Sequence, residues 1–473
     1  MVFNSLTFVA FFVAVVLLHY APFGSWRLKK VQLLLFSFMF YAAWNPPFIL
    51  LLWMSTLVDF EIARRMHSST TPGWRRWWLF VSLAVNLGVL GYFKYGEFLL
   101  ENWVTLMNSV GVAWRAPKWN VVLPVGISFY TFQTLSYTLD VYSRRLEPIR
   151  SRLDFALFVA FFPHLVAGPI MRPEGLVPQF AQRPRVRPGA KAWGLCLMVL
   201  GMFEKVVIAD GALAPAADKV FGTGGPVMWA DAWCGTLAFS GQIFCDFAGY
   251  STIAIGAALV LGFSLQDNFR YPYAAIGFSD FWRRWHVSLS TWLRDYLYIP
   301  LGGNRSSERR TRANVMITML LGGLWHGASW KFVLWGGLHG AYLTIERFLR
   351  ATIGPSRLFQ LSGVRLLLGV LTYLLVTLTW VFFRAADLPS ALGMLGSMLS
   401  FGPGQAVLPF RDYVLVGLPI GSMLLIQAYM REKRLEDVVA RTPAWLTGFG
   451  VAAMALLTII TQGSNDAFIY FQF

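Results

Sequence analysis

Apolar stretches of helical length recur along the whole chain, separated by short loops rich in arginine and lysine. The clearest are Leu6–Tyr20, Val31–Trp44, Phe48–Phe60, Trp77–Phe93, Val121–Leu139, Leu366–Phe383 and Trp445–Thr461. A helix needs roughly 20 mostly apolar residues to cross a bilayer. The 473 residues leave room for about a dozen such passes. The pattern predicts an all-α, polytopic membrane protein. No repeat at a fixed period and no low-complexity linker divides it, so residues 1–473 read as a single transmembrane domain. The first run follows Met-Val-Phe-Asn without a basic segment or a small-residue cleavage site, which marks a retained helix rather than a signal peptide.

Composition sharpens this. Only 14% of the residues are charged and 56% are hydrophobic, whereas a soluble domain carries about 25% charged residues. The net charge of +16 would fit a nucleic-acid binder, but its distribution argues against one. Segments 21–30, 61–76, 140–153, 172–191, 264–312, 346–365 and 429–441 hold 32 of the 40 Lys and Arg but 12 of the 24 Asp and Glu. They carry +20 and the remainder carries −4. In a bacterial or ER membrane, basic loops stay on the cytoplasmic side, so these segments face the cytoplasm. Loops 94–120, 210–228 and 384–410 and the tail from Gln462 face outward. Cys196, Cys234 and Cys245 lie in apolar surroundings with neither disulfide nor zinc spacing, and read as core residues.

Two apolar segments break the alternation, because both ends of each carry cytoplasmic charge. Asp154–Pro169 is interrupted by Pro163, and Ala313–Ile345 by Gly322-Gly323 and Gly327. Irregular backbone at membrane depth survives only where protein or a water-lined cavity satisfies it. Both are therefore candidate linings of a functional cavity.

Six histidines occur. His19 and His67 sit at helix ends or in a loop and read as interfacial. His339 follows a small-residue stretch and reads as a packing or supporting group. His164, beside Pro163, either lines a cavity or caps freed carbonyls. His326 lies half-way through the second broken segment, flanked by glycines that admit close approach. A neutral buried imidazole there suits a general base acting on a hydroxyl; a hydrogen-bonded packing histidine is the alternative. His286 belongs to the densest polar and aromatic segment, Phe278–Tyr296, where Trp282, Trp285, Trp292 and Tyr296 alternate with Arg283, Arg284 and Arg294. That pattern predicts an interfacial amphipathic helix. Its arginines either anchor to anionic lipid or receive an anionic donor, since the guanidinium fork suits phosphate. Asp246 is placed to hold a histidine or arginine, and Glu204-Lys205 reads as a neighbouring ion pair. No Walker loop, dinucleotide fingerprint, Gly-x-Ser-x-Gly elbow or HExxH helix is present, and no metal site is predicted.

Several stretches together resemble the membrane-bound O-acyltransferase family, in its bacterial branch concerned with alginate acetylation and teichoic-acid D-alanylation. They include Leu123-Pro-Val-Gly-Ile-Ser-Phe-Tyr-Thr-Phe132, Phe162-Pro-His-Leu-Val-Ala-Gly-Pro-Ile170 and Asp246-Phe-Ala-Gly-Tyr-Ser251. Asn268-Phe-Arg-Tyr-Pro-Tyr273, Phe281-Trp-Arg-Arg-Trp-His-Val-Ser-Leu289, Trp292–Gly303 and Gly323-Leu-Trp-His-Gly327 continue the series, with the motif core at about 121–345. The resemblance implies a ring of about 11–13 transmembrane or re-entrant helices around a central tunnel, each pass of the usual length. It places the family's catalytic histidine on His326 and a second catalytic or supporting histidine on His286. Asp246, Trp325, Trp285 and His164 become candidate supporting or tunnel residues. Arg283, Arg284 and Arg294 become candidate donor-binding residues. The tail 468–473, Phe-Ile-Tyr-Phe-Gln-Phe, resembles a family motif in which a tyrosine relays the acyl group, here Tyr470; an aromatic belt anchoring the terminus is the alternative.

The resemblance leads to an expectation of acetyl transfer to an extracytoplasmic polysaccharide such as alginate. It implies acetyl-CoA as co-substrate, or an acyl carrier protein, with no bound cofactor. A periplasmic serine-esterase-like partner would complete the transfer. The runner-up, from a different class, is a transporter of an acyl donor or lipid-linked sugar, opposed by the absence of paired broken helices in repeats. Acylation of a lipid or protein is a further reading within the family.

Overall fold

The computed structural model describes all of the chain except Lys118, Asn120, Ala167, Arg185, 355–360 and 462–473. The described residues form helices, with one isolated bridge between Val227 and Gln405. Among them, seven helical stretches are long and apolar enough to cross a membrane: Pro46–Ser68, Pro72–Ser109, Ala190–Phe221, Trp229–Val260, Ser362–Arg384, Phe410–Met430 and Ala444–Thr461. Shorter apolar helices, Leu6–Tyr20 and Leu388–Leu399, join them. The all-α polytopic expectation holds. By its internal packing the chain groups into two compact units, Met1–Leu195 with Ala254–Gln266, and Cys196–Ile253 with Asp267–Phe473.

The first unit contains α1 (Leu6–Tyr20), α2 (Trp26–Ala42), α3 (Ile49–Ser68), α4 (Pro72–Leu90), α5 (Gly96–Ser109), α6 (Ile127–Tyr142), α7 (Arg152–Ala160), α8 (Phe162–Leu165), α9 (Pro173–Ala181) and the start of α10 (Ala190–Met202). Ser5 and Ser25 start α1 and α2 by accepting the Phe8 and Leu28 N–H groups, the usual N-cap exchange. Asn45-Pro46-Pro47 turns the chain through one 3₁₀ turn into α3. The expected outer loop from residue 94 is helical instead: a π turn, Gly91–Tyr95, carries α4 into α5 as far as Ser109. Lys94, Glu97 and Glu101 interrupt the apolar pattern there, but backbone hydrogen bonding does not need apolar side chains.

α6 carries five Ser and Thr hydroxyls within its apolar run yet is almost wholly buried, which makes it an interior helix rather than a lipid-facing one. Its hydroxyls join a polar hub between α3 and α4. Asp59 accepts from Ser82 Oγ at 2.6 Å and from Asn86 Nδ2 at 2.8 Å. Asn86 Oδ1 in turn accepts from Ser55 Oγ at 2.8 Å and Thr134 Oγ1 at 3.2 Å. The expected break at Pro163 is present. The chain bends at Phe161, Pro163 starts the short α8, and the Phe162 N–H donates to Ser37 Oγ at 3.1 Å.

The second unit takes in the end of α10, a π-helical stretch Phe203–Leu213, α11 (Ala214–Phe221), most of α12 (Trp229–Val260), α13 (Phe278–Arg284), α14 (Val287–Leu293), α15 (Glu308–His326), α16 (Trp330–Ile353), α17 (Ser362–Arg384), α18 (Leu388–Leu399), α19 (Phe410–Met430), α20 (Leu435–Arg441) and α21 (Ala444–Thr461). The predicted loops 210–228 and 384–410 thus each hold a helix, α11 and α18. Pro215 and Pro389 sit in the first turns of these helices, where a missing N–H costs nothing.

The Ala313–Ile345 segment is an antiparallel hairpin, and its break differs from the expectation. Gly322-Gly323 lies inside α15; only Gly327 and the two residues after it are non-helical. A Cβ on Gly323 would fall 2.2 Å from the Phe332 carbonyl oxygen, and one on Gly336 2.2 Å from that of Met319. The glycines therefore exist to bring α15 and α16 into backbone contact, as small residues do between membrane helices.

Candidate functional site

His326 is the last residue of α15, at the turn of this hairpin, and is 3% exposed. Aromatic rings surround it: Trp325 at 5.0 Å, Trp335 of α16 at 5.0 Å and Phe383 of α17 at 5.2 Å between centroids. Trp335 packs in turn on Trp380 at 5.8 Å and on His339 at 4.6 Å. Edge-to-face aromatic pairs add about 0.5–1.5 kcal/mol each beyond area burial, so the imidazole is held in one orientation by its walls.

His286 belongs to the same chamber, and its position corrects the expected single amphipathic helix. Phe278–Tyr296 is two short helices, α13 and α14, joined at Trp285-His286, where His286 adopts left-handed backbone angles (φ 43°, ψ 55°). A non-glycine residue rarely does so, and the surroundings enforce it. The Val287 N–H donates to the Asn268 carbonyl at 2.9 Å. Asn268 Oδ1 lies 3.1 Å from His286 Nδ1 and accepts from Ser288 Oγ at 2.8 Å. Asn268 Nδ2 donates to Ser251 Oγ of α12 at 3.1 Å. The His286 ring is fully buried against Phe247 at 4.7 Å and Trp325 at 5.9 Å. Trp325 therefore contacts both histidines.

Trp285 lines the same core, 4.9 Å from Trp380 and 5.1 Å from Phe269. His339 pins α16 to α17 through Nε2 and Thr379 Oγ1 at 3.1 Å. Asp246 lies on α12 next to Phe247 and holds a lysine: Lys205 bridges Asp246 and Asp210, the latter at 2.9 Å. Lys205 thus reaches across to another helix rather than to its neighbour Glu204.

His164 lies in the first unit, where Gln133 Nε2 donates to its Nδ1 at 2.7 Å. The arginines differ among themselves. Arg284 is consumed within the protein, bonded to Asp280 at 2.8 Å, the Arg431 carbonyl at 2.8 Å and Glu432 at 3.1 Å. Arg294 is exposed and forks onto its neighbour Asp295. Arg283 is exposed on α13. Tyr470 and the tail 468–473 lie outside the described residues. Sequence reasoning missed Asn268, Phe247, Trp335, Trp380 and Phe383. Asn268 stands at the head of the Asn268–Tyr273 motif and could have been singled out; the rings are indistinguishable in sequence from ordinary apolar residues.

The structure thus gathers two buried histidines, His326 and His286, around Trp325 beside a glycine-tight helical hairpin. The chain belongs to the membrane-bound O-acyltransferase family, whose sequence model it matches over residues 83–384. It is 42% identical to the probable alginate O-acetylase AlgI of Pseudomonas aeruginosa, over 90% of this chain and 80% of that protein. The Pseudomonas putida protein of the same name is 41% identical over the full length of both. The peptidoglycan O-acetyltransferase of Helicobacter pylori is 37% identical over 78% of this chain and 73% of its own. The protein is thus a multi-pass membrane O-acyltransferase, which sets the transporter reading aside.

Proposed function

We propose that the protein carries an acetyl group from a cytosolic thioester, acetyl-CoA, across the inner membrane for O-acetylation of an extracytoplasmic polysaccharide of the alginate type. The observation that carries this reading is His326 in its aromatic chamber, in a chain so similar to the AlgI proteins. His326 accepts the proton of an attacking hydroxyl as its oxygen adds to the thioester carbonyl. His286, oriented by Asn268 and in contact with Trp325, supports the reaction. The dry aromatic walls position the reactants and exclude hydrolytic water. Arg283 and Arg294 are arginines at the surface suited to phosphates of the donor; Arg284 serves the fold.

Tyr470 then accepts the acetyl group as an ester, and a periplasmic serine-esterase-like enzyme passes it to the polymer. The test is ester-bound acetate on secreted polysaccharide in wild-type and His326→Ala cells at matched membrane levels of the protein. Loss of acetate with normal polymer yield is expected; unchanged acetate removes His326 from the chemistry. Tyr470→Phe is expected to give the same loss, and normal acetylation there would discard the relay alone. The Helicobacter pylori relative makes peptidoglycan the second acceptor to assay.

A further inference from the structure

The aromatic cluster around His326 carries more hydrogen-bond donors than the described residues use. The indole N–H groups of Trp282, Trp285, Trp335 and Trp380 are all buried without an acceptor among the described residues. Buried tryptophan N–H groups ordinarily find one, and these four belong to one continuous aromatic cluster. Of the four, Trp335 packs directly on His326, edge to face at 83°. It is fully buried. Its position is fixed behind by His339, itself tied to Thr379, and by Trp380 and Phe383 at 5.8 and 5.3 Å. The reciprocal Gly323 and Gly336 contacts set the spacing of the two helices that bear His326 and Trp335.

An indole N–H donates and cannot accept, so the group it is built to meet is an acceptor such as a carbonyl oxygen. We propose that Trp335 is a further catalytic residue whose N–H stabilises the oxyanion formed when the acyl carbonyl is attacked, an inference that rests on the acyl-transfer reading of His326. The hydroxyl oxygen forms the new C–O bond while its proton passes to His326, and the carbonyl π pair moves onto oxygen, where the indole N–H meets it. Collapse re-forms the carbonyl and breaks the C–S bond, and the departing thiolate takes the proton back from His326. A fixed donor in a water-poor site needs no reorganisation as charge develops, and losing one such donor typically costs about 10²–10³ in rate.

The experiment replaces Trp335 in the full-length, membrane-extracted protein by 3-benzothienylalanine, which keeps the bicyclic shape and substitutes sulfur for the N–H. Acetyl transfer from acetyl-CoA and binding of a non-transferable thioether analogue of it are measured beside Trp335→Phe and His326→Ala. Expected is a fall in kcat of about 10²-fold or more, with analogue binding and thermal melting as in wild type. A kcat within about threefold of wild type in the benzothienylalanine protein, well short of that loss, overturns the assignment. If His326→Ala is inactive in that same assay, the acyl-transfer reading stands without it; if His326→Ala retains full activity, that reading itself fails.

Discussion

Two regions of the molecule, one in each unit, treat buried polar groups in opposite ways. Around Asp59 in the first unit, donors and acceptors are matched to one another: Ser82, Asn86, Ser55 and Thr134 close a network across α3, α4 and α6. Around His326 in the second, the walls include Trp335 and, behind it, Trp380, whose N–H groups have no acceptor among the described residues. A closed network stabilises a helix arrangement. Donors left unmatched in a buried cluster come at a cost, since an unmade buried bond costs about 1–3 kcal/mol. The first region reads as scaffold and the second as machinery.

The sharpest test of that contrast exchanges the expected phenotypes. His326→Ala should lower acetyl transfer by at least about 10³-fold, as loss of a general base from a concerted site does, while melting stays near wild type. Asp59→Ala should do the reverse. It strands Asn86 and Ser82 and should lower stability by about 1–3 kcal/mol, read as a drop in melting temperature, with kcat per folded molecule unchanged. A dead but stable Asp59→Ala protein would break the distinction.

Next in size is the hairpin. Gly323→Leu places a branched side chain where even a Cβ would sit 2.2 Å from the Phe332 carbonyl. It should separate α15 from α16 and abolish activity, with loss of protein from the membrane fraction as a second readout. Asn268→Ala keeps the backbone bond to Val287 but removes the amide that meets the His286 ring, Ser288 and Ser251. A loss of kcat of roughly tenfold to hundredfold is expected, equivalent to about 1–3 kcal/mol, with partial recovery in Asn268→Gln.

The smallest effect concerns the clamp of α13 on the end of α19. Partial burial opposes the Asp280 carboxylate, but the Ile276 N–H and the Arg431 and Arg284 guanidiniums outweigh it and hold its pKa below the usual value. A carboxyl depressed in the folded state contributes stability above its unfolded pKa and loses it as pH falls through the folded one. The melting temperature should therefore fall as pH drops below about 4, and the Asp280→Asn protein should lack that part of the decline.

Much of this architecture was legible in the sequence. The break at Pro163 and the interruption at Gly327 come from apolar runs, a proline and a glycine, because each is a local property of the chain. The reading failed where apolarity stood in for helicity. Lys94 and Glu97 interrupt a hydrophobic pattern but not a helix, and α6 is interior because its hydroxyls find partners across three helices. By itself the sequence determined the membrane class, the family and the histidines, since hydropathy and side-chain chemistry do not depend on neighbours. Only the tertiary structure decided that Arg284 serves the fold, that Asp246 holds Lys205, and that Trp335, one of twenty tryptophans, stands against His326 with its N–H unmatched among the described residues. Those assignments depend on which groups meet through space, and a pairing between residues far apart in the chain leaves no mark on either one alone.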